Sequence, residues 1–211
     1  LNDPGAAAIS KPDADMKKQL IPPTTAFPLT AEQRLSFATA PTAYRLSGPP
    51  GLVRLVQNGG LKTGAFWFSE TVFSRLRAQA KADLARQSAG HKEPFSRPMK
   101  EMVGMYMRHC LRQDLAICKD WTENFDSYAV LPLRPQDTLI AWVGKIRPQP
   151  YYAKPDPAKF TKAEYADRLR VFEQAEAGGV SLLAGEDQFV IDFRFSANRA
   201  LESRILGPWE F

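Results

Sequence analysis

Apolar positions along the chain recur with two different periods. Val72, Phe73, Leu76, Ala80 and Leu84 return every three or four residues, the spacing of one face of an α-helix, and Ser69 is placed to cap the helix they predict. Met99, Met102, Val103, Tyr106, Met107, Cys110, Leu111 and Leu115 form a second such stripe, predicting a long helix that ends near Cys118. Elsewhere the pattern is that of strands. Residues 43–47 read as a short strand stopped by Gly48-Pro49-Pro50-Gly51, and residues 65–68 as an aromatic one. Residues 127–133 and 138–146 are β-rich runs joined by Arg134-Pro135-Gln136-Asp137. In residues 188–195, Phe189, Ile191, Phe193 and Phe195 alternate with Val190, Asp192 and Arg194, predicting the final clear strand. The apolar run 52–56 is too short for its period to choose between helix and strand.

Two capping boxes mark further helices. Thr30 with Gln33 predicts a short helix through Leu35, and Thr161 with Glu164 opens another that Gly178-Gly179 closes. The latter lies in an insertion from 149 to about 179. Helices cluster in the first half and strands in the second, which predicts an α+β fold with a mostly antiparallel sheet. Residues 1–29, with Pro4, Pro12, Pro22, Pro23 and Pro28, read as a linker or the tail of a larger protein, leaving 30–211 as the folded domain. The first residue is Leu, which fits a piece of something longer.

The chain has 211 residues, 44% of them hydrophobic and 24% charged, the balance expected of a soluble globular domain. No run approaches the ~20 apolar residues of a membrane span, so no membrane partner is expected. Twenty-eight Lys and Arg against 23 Asp and Glu leave a net charge of +5, which favours an anionic partner. Cys110 and Cys118, eight apart on what reads as one helix, would be separated by about 12 Å, too far for a disulfide. With only two Cys and two His, and neither His91 nor His109 beside a nucleophile elbow, neither a zinc finger nor a Ser or Cys triad is expected.

Four local features have chemical potential beyond folding. Tyr44-Arg45 places a guanidinium in an early strand, suited either to a phosphate or carboxylate in a cleft, or simply to water at a sheet edge. In the segment 62–70, Gly64 precedes Phe66, Trp67 and Phe68, which offer a stacking face for a flat heterocycle or a piece of core. Residues 142–149 leave a strand on a basic loop, Lys145-Ile146-Arg147-Pro148-Gln149. Residues 183–191 carry Glu186, Asp187 and Gln188 at the mouth of a strand. Were that strand to begin at Glu186, Glu186 and Gln188 would share a face.

In this order the features resemble the ADP-ribosyltransferase-like toxin domains, and within them the tuberculosis necrotizing toxin-like NAD-glycohydrolase branch. The likeness rests on Arg45, on the Gly64-x-x-Trp67 strand entering a helix, on the segment from Pro135, Asp137 and Thr138 to Gly144 and Pro148-Gln149, and on the Gly185-x-x-Gln188 strand. It spans residues 43–195 as a spaced pattern. Where many members have paired glycines this chain has Ala184-Gly185, and where the transferases carry a catalytic Glu it has Gln188.

The resemblance implies an ADP-ribosyltransferase-like sheet with a helical insertion, and cleavage of the nicotinamide–ribose bond of NAD or NADP. Arg45 would hold the pyrophosphate, Trp67 or Phe66 would stack the nicotinamide, and Gln188 with Glu186 or Asp187 would address the ribose and water. Ser69 and Gly144 would complete the dinucleotide site. No metal and no cofactor beyond the substrate are called for. An amide is no general base, so water is the expected acceptor, with mono-ADP-ribosyl transfer through Glu186 as the alternative. The resemblance also implies secretion or delivery into a target cell's cytosol and a cognate immunity protein; nucleic acid is not an expected partner. A reading of a different class makes the chain a non-catalytic basic module docking through Arg75, Arg77, Lys81 and Arg86. The catalytic reading requires Arg45, Trp67 and Gln188 to line one cleft.

Overall fold

The computed structural model describes residues 16–56, 65–90, 99–119, 127–179, 181–182, 185–192, 194 and 204–206, and among these residues ten strands and four α-helices are defined. Eight strands join in one sheet in the order β1 (Lys17–Leu20), β2 (Thr42–Ser47), β6 (Leu139–Lys145), β9 (Asp187–Ile191), β4 (Phe66–Ser69), β3 (Leu52–Val56), β5 (Ser127–Leu131), β10 (Arg204–Leu206). Every pairing in it is antiparallel. The α+β class expected from the periodicities therefore holds. The ambiguous run 52–56 is a strand because β5 pairs with all five of its residues, from Leu52 opposite Leu131 to Val56 opposite Ser127.

Strand β4 is the hinge of the sheet. Its first residues, Phe66 and Trp67, pair with β9, whereas Phe68 and Ser69 pair with β3. Alternation then sends successive side chains to different cores. Leu52, Trp67, Ala129, Leu131, Leu139, Val143, Phe189 and Ile191 join one buried cluster with Leu46, while Val53, Phe68, Tyr128 and Val130 join another. The second cluster is closed by α2 (Glu70–Gly90) and α3 (Met99–Asp114). From α2 it takes Phe73, Leu76 and Ala80, and from α3 Met107, Cys110 and Leu111. These are residues of the two predicted helical stripes.

The helix starts are read correctly from their caps. Ser69 Oγ accepts the Thr71 amide at the head of α2, and both capping boxes form, at Thr30 before α1 (Ala31–Leu35) and at Thr161 before α4 (Lys162–Ala177). Helix α3 ends earlier than predicted. It stops at Asp114, and Ala116 takes a left-handed φ of 45°, turning Leu115–Ile117 out of the helical path. Cys118 therefore lies beyond the helix, and both cysteines are buried with neither in a disulfide. Burial pushes the Cys110 thiol up, with Asp114 and Asp83 adding to the shift. The insertion is closed at its base by a two-residue ladder between β7 (Gln149–Pro150) and β8 (Ser181–Leu182).

The boundary at residue 29 is overturned for the described part of the segment. Residues 17–20 pair with β2, Met16 joins the Leu46 cluster, and Ile21 and Leu29 are buried. Proline suggested a linker because it cannot donate to a ladder. Here Pro22 and Pro23 sit at a single 3-10 turn just beyond β1, where no ladder bond is needed. Residues 1–15 lie outside the described residues, as do Phe193 and Phe195; the last predicted strand is shorter than expected, ending at Ile191, with Asp192 and Arg194 described outside it. Strand β10 had not been anticipated.

Candidate functional site

A cavity of about 730 Å³ opens beside strand β4, where the sheet divides. Three neighbouring strands supply Arg54 from β3, Phe66, Trp67 and Phe68 from β4, and Gln188 from β9. Alternation turns Arg54, with Leu52, and Trp67 to the face of the Leu46 cluster and Phe66, Phe68 and Gln188 to the opposite face, so these strands border the cavity from both faces of the sheet. The remaining wall comes from Glu32, Leu35 and Ser36 at the end of α1, from Leu115–Ile117 after α3, and from residues 146–150. Leu35 and Phe66 are exposed apolar side chains at this cavity.

Arg54 is the electrostatic anomaly. It is half-buried, and its Nη1 is buried with no hydrogen-bond partner. Burial alone pushes its pKa down, because the cation has left water without gaining a counter-charge. An anion entering the cavity would supply what is missing, preferably one with two oxygens to match the guanidinium fork. Arg147, exposed at the same cavity, adds a second cation, and Glu32 sets one acid against the pair.

Gln188 is 8% exposed and donates from Nε2 to Ser36 Oγ at 2.5 Å. Ser36 is held in place by the backbone on both sides. Arg147 donates its amide to the Ser36 carbonyl at 2.8 Å and Ala38 donates to Lys145 at 2.9 Å, while Phe37 bridges to Ile146. Of the basic, proline-bearing loop, residues 146–149 form part of the cavity wall and Lys145 does not.

The predicted site residues divide. Trp67, Phe66 and Gln188 line the one cavity, together with Gln149. Arg45 does not. Its partner across β2 and β6 is Ile140, whereas Gln188 lies opposite Gly144, four residues along β6 and so about 13 Å away along the strand. Arg45 also points away from the face that Tyr44 and Leu46 turn to the core, and is exposed. The requirement that Arg45, Trp67 and Gln188 share a cleft is therefore not met, and the catalytic reading fails in the form that assigned the pyrophosphate to Arg45.

Three other assignments change. Ser69 serves as the cap of α2 and is not a wall residue. Gly144 makes room for protein: a Cβ there would lie 3.1 Å from the Phe37 ring and 3.4 Å from the Pro41 Cα. Glu186 precedes β9, and its carboxylate accepts from Arg75 of α2, whereas Gln188 is bound to Ser36. The two do not act on a common group. Asp187 pairs with Lys145 at 3.0 Å. On α2, Arg75 is further paired with Asp114, and Arg86 with Asp83.

Arg54 was missed because Leu52-Val53-Arg54-Leu55-Val56 carries no breaker or period that distinguishes its arginine. Only the strand register shows which cation reaches the aromatic strand. Among the described residues no group of His, Cys, Asp and Glu is arranged to hold a metal ion, and no helix is long and apolar enough to cross a membrane. No family model, curated protein or solved structure matches the chain.

Proposed function

We propose that this cleft binds NAD or NADP and hydrolyses the bond between nicotinamide and ribose, with Arg54 in the place first given to Arg45. The observation that carries the reading is half-buried Arg54, whose Nη1 is buried without a partner, on the strand next to the Phe66–Phe68 aromatics with Gln188 one strand further on. A dinucleotide offers what such a site lacks: a diphosphate for the cations, a flat ring for the aromatic wall and ribose hydroxyls for an amide oxygen. A cavity of about 730 Å³ is within the usual range for a ligand of that size.

The chemistry asks little of the protein beyond placement. The bond from the nicotinamide nitrogen to the ribose carbon breaks, its electron pair going to the pyridinium, which leaves as neutral nicotinamide. Water forms the new carbon–oxygen bond and releases a proton to solvent, giving ADP-ribose. The transition state carries positive charge on the ribose, which the Gln188 amide oxygen stabilises. Transfer to a macromolecule relied on Glu186, which is engaged by Arg75 outside the cavity, so water is the acceptor in this reading. Delivery into a target cell and an immunity protein that covers the cleft belong to the same proposal.

Incubation of the chain with NAD or NADP should liberate free nicotinamide and ADP-ribose in equal amounts without labelling of added protein. Labelled protein would restore the transferase alternative, and no nicotinamide from either dinucleotide would end both.

A further inference from the structure

We infer that Ser36 is a positioning residue that decides which end of the Gln188 amide faces the cleft. The argument is one of proton counting. A serine hydroxyl has a single proton, and that of Ser36 is donated to the Gln33 carbonyl at 2.7 Å. Toward Gln188 the Ser36 oxygen therefore only accepts. Of the two ends of the Gln188 amide, only Nε2 can satisfy it, as observed at 2.5 Å. Among the described residues the Gln188 side chain makes no other hydrogen bond, which leaves Oε1 as the end available to a ligand in the cavity that Gln188 lines.

The orientation is anchored well behind the cavity surface. Phe37, next to Ser36, is buried against Leu29 and Val190 and fits against Gly144 because no Cβ is there. The glycine first assigned to the ligand thus acts at one remove, by seating the segment that holds Ser36. The consequence is a chemical preference. The cleft presents an acceptor on β9, so it takes a ligand group that donates near Gln188, a ribose hydroxyl or a water. With the amide turned over, an N–H would face the same hydroxyls and the developing positive charge, which disfavours both.

The kinetic part of this inference rests on the glycohydrolase reading, whereas the amide orientation does not. In 15N-labelled protein the Gln188 side-chain NH2 signals, identified by their absence in Gln188→Ala, should be exchange-protected. They should lose protection in Ser36→Ala and keep it in Ser36→Thr, which retains the hydroxyl. In nicotinamide release, Ser36→Ala should lower kcat about fivefold with KM changed less than about twofold, the size of one lost hydrogen bond felt in the transition state. Ser36→Thr should restore kcat to within about twofold, and Ser36→Ala should have no added effect in a Gln188→Ala background. Amide signals indifferent to Ser36→Ala, a Thr variant that behaves like Ala, or additive losses in the double variant would each overturn the inference. An inactive wild type whose Gln188 signals still respond to Ser36→Ala sinks the glycohydrolase reading and leaves the orientation standing.

Discussion

Strands β2 and β3 have similar sequences and opposite outcomes. Each carries one arginine next to an apolar residue, Thr-Ala-Tyr-Arg-Leu-Ser in β2 and Leu-Val-Arg-Leu-Val in β3, and each contributes a fully buried leucine, Leu46 or Leu52, to the same core cluster. Arg45 nevertheless ends in water, while Arg54 ends half-buried at a cavity with a nitrogen unpaired. Alternation separates them first: Arg54 lies two residues from Leu52 and shares its face, whereas Arg45 lies next to Leu46 and takes the opposite one. β2 is flanked by β1 and β6, whereas β3 adjoins β4, the strand at which the sheet divides. Composition cannot distinguish the two arginines; their spacing from the buried leucine does, once pairing shows which face of each strand is covered.

Perturbing what the strands share should have the largest effect. Leu46→Ala and Leu52→Ala each remove a fully buried side chain from one core, and each should lower unfolding free energy by about 3 kcal/mol in urea titration. Near-equal losses would show that both strands are equally structural. The arginines should then separate them. Arg54→Ala should reduce kcat/KM for nicotinamide release by about a hundredfold, the scale of a charge-assisted contact made and lost as a unit, while Arg45→Ala should stay within about twofold of wild type.

Stability should show the opposite preference. A half-buried cation with one buried nitrogen unpaired is a cost to the free protein, and a side chain of similar length without the charge removes it. Arg54→Met should therefore raise unfolding free energy by about 1 kcal/mol while abolishing turnover, and Arg45→Met should change neither by a measurable amount. A destabilised Arg54→Met would mean that the guanidinium contributes more to the fold than its unpartnered nitrogen implies.

The same contrast explains how much was legible beforehand. Signals confined to one turn or one face survived: the capping boxes at Thr30 and Thr161, the Ser69 cap and the buried face of α2. Features created by long-range pairing did not. Strand β1, Lys17-Lys18-Gln19-Leu20, has no alternation of its own and is exposed throughout, existing as a strand because β2 pairs with it. Helix α3 ends at a left-handed alanine that no glycine announces. In the site, Phe66, Trp67 and Gln188 could be proposed from local pattern, since a β-strand fixes its own alternation. Arg54 and Ser36 could not, because what makes them notable is an absent partner in one case and a bond across 152 positions in the other.

The central claim is that the anion-binding residue of the cleft is Arg54. Calorimetric titration of ADP-ribose, the product that keeps both phosphates, into wild type, Arg54→Ala and Arg45→Ala tests it most directly. The account predicts that Arg54→Ala weakens binding at least about tenfold, as expected for losing a hydrogen bond to a charged group, and that Arg45→Ala binds like wild type. Unchanged affinity in Arg54→Ala, or a loss confined to Arg45→Ala, would contradict it.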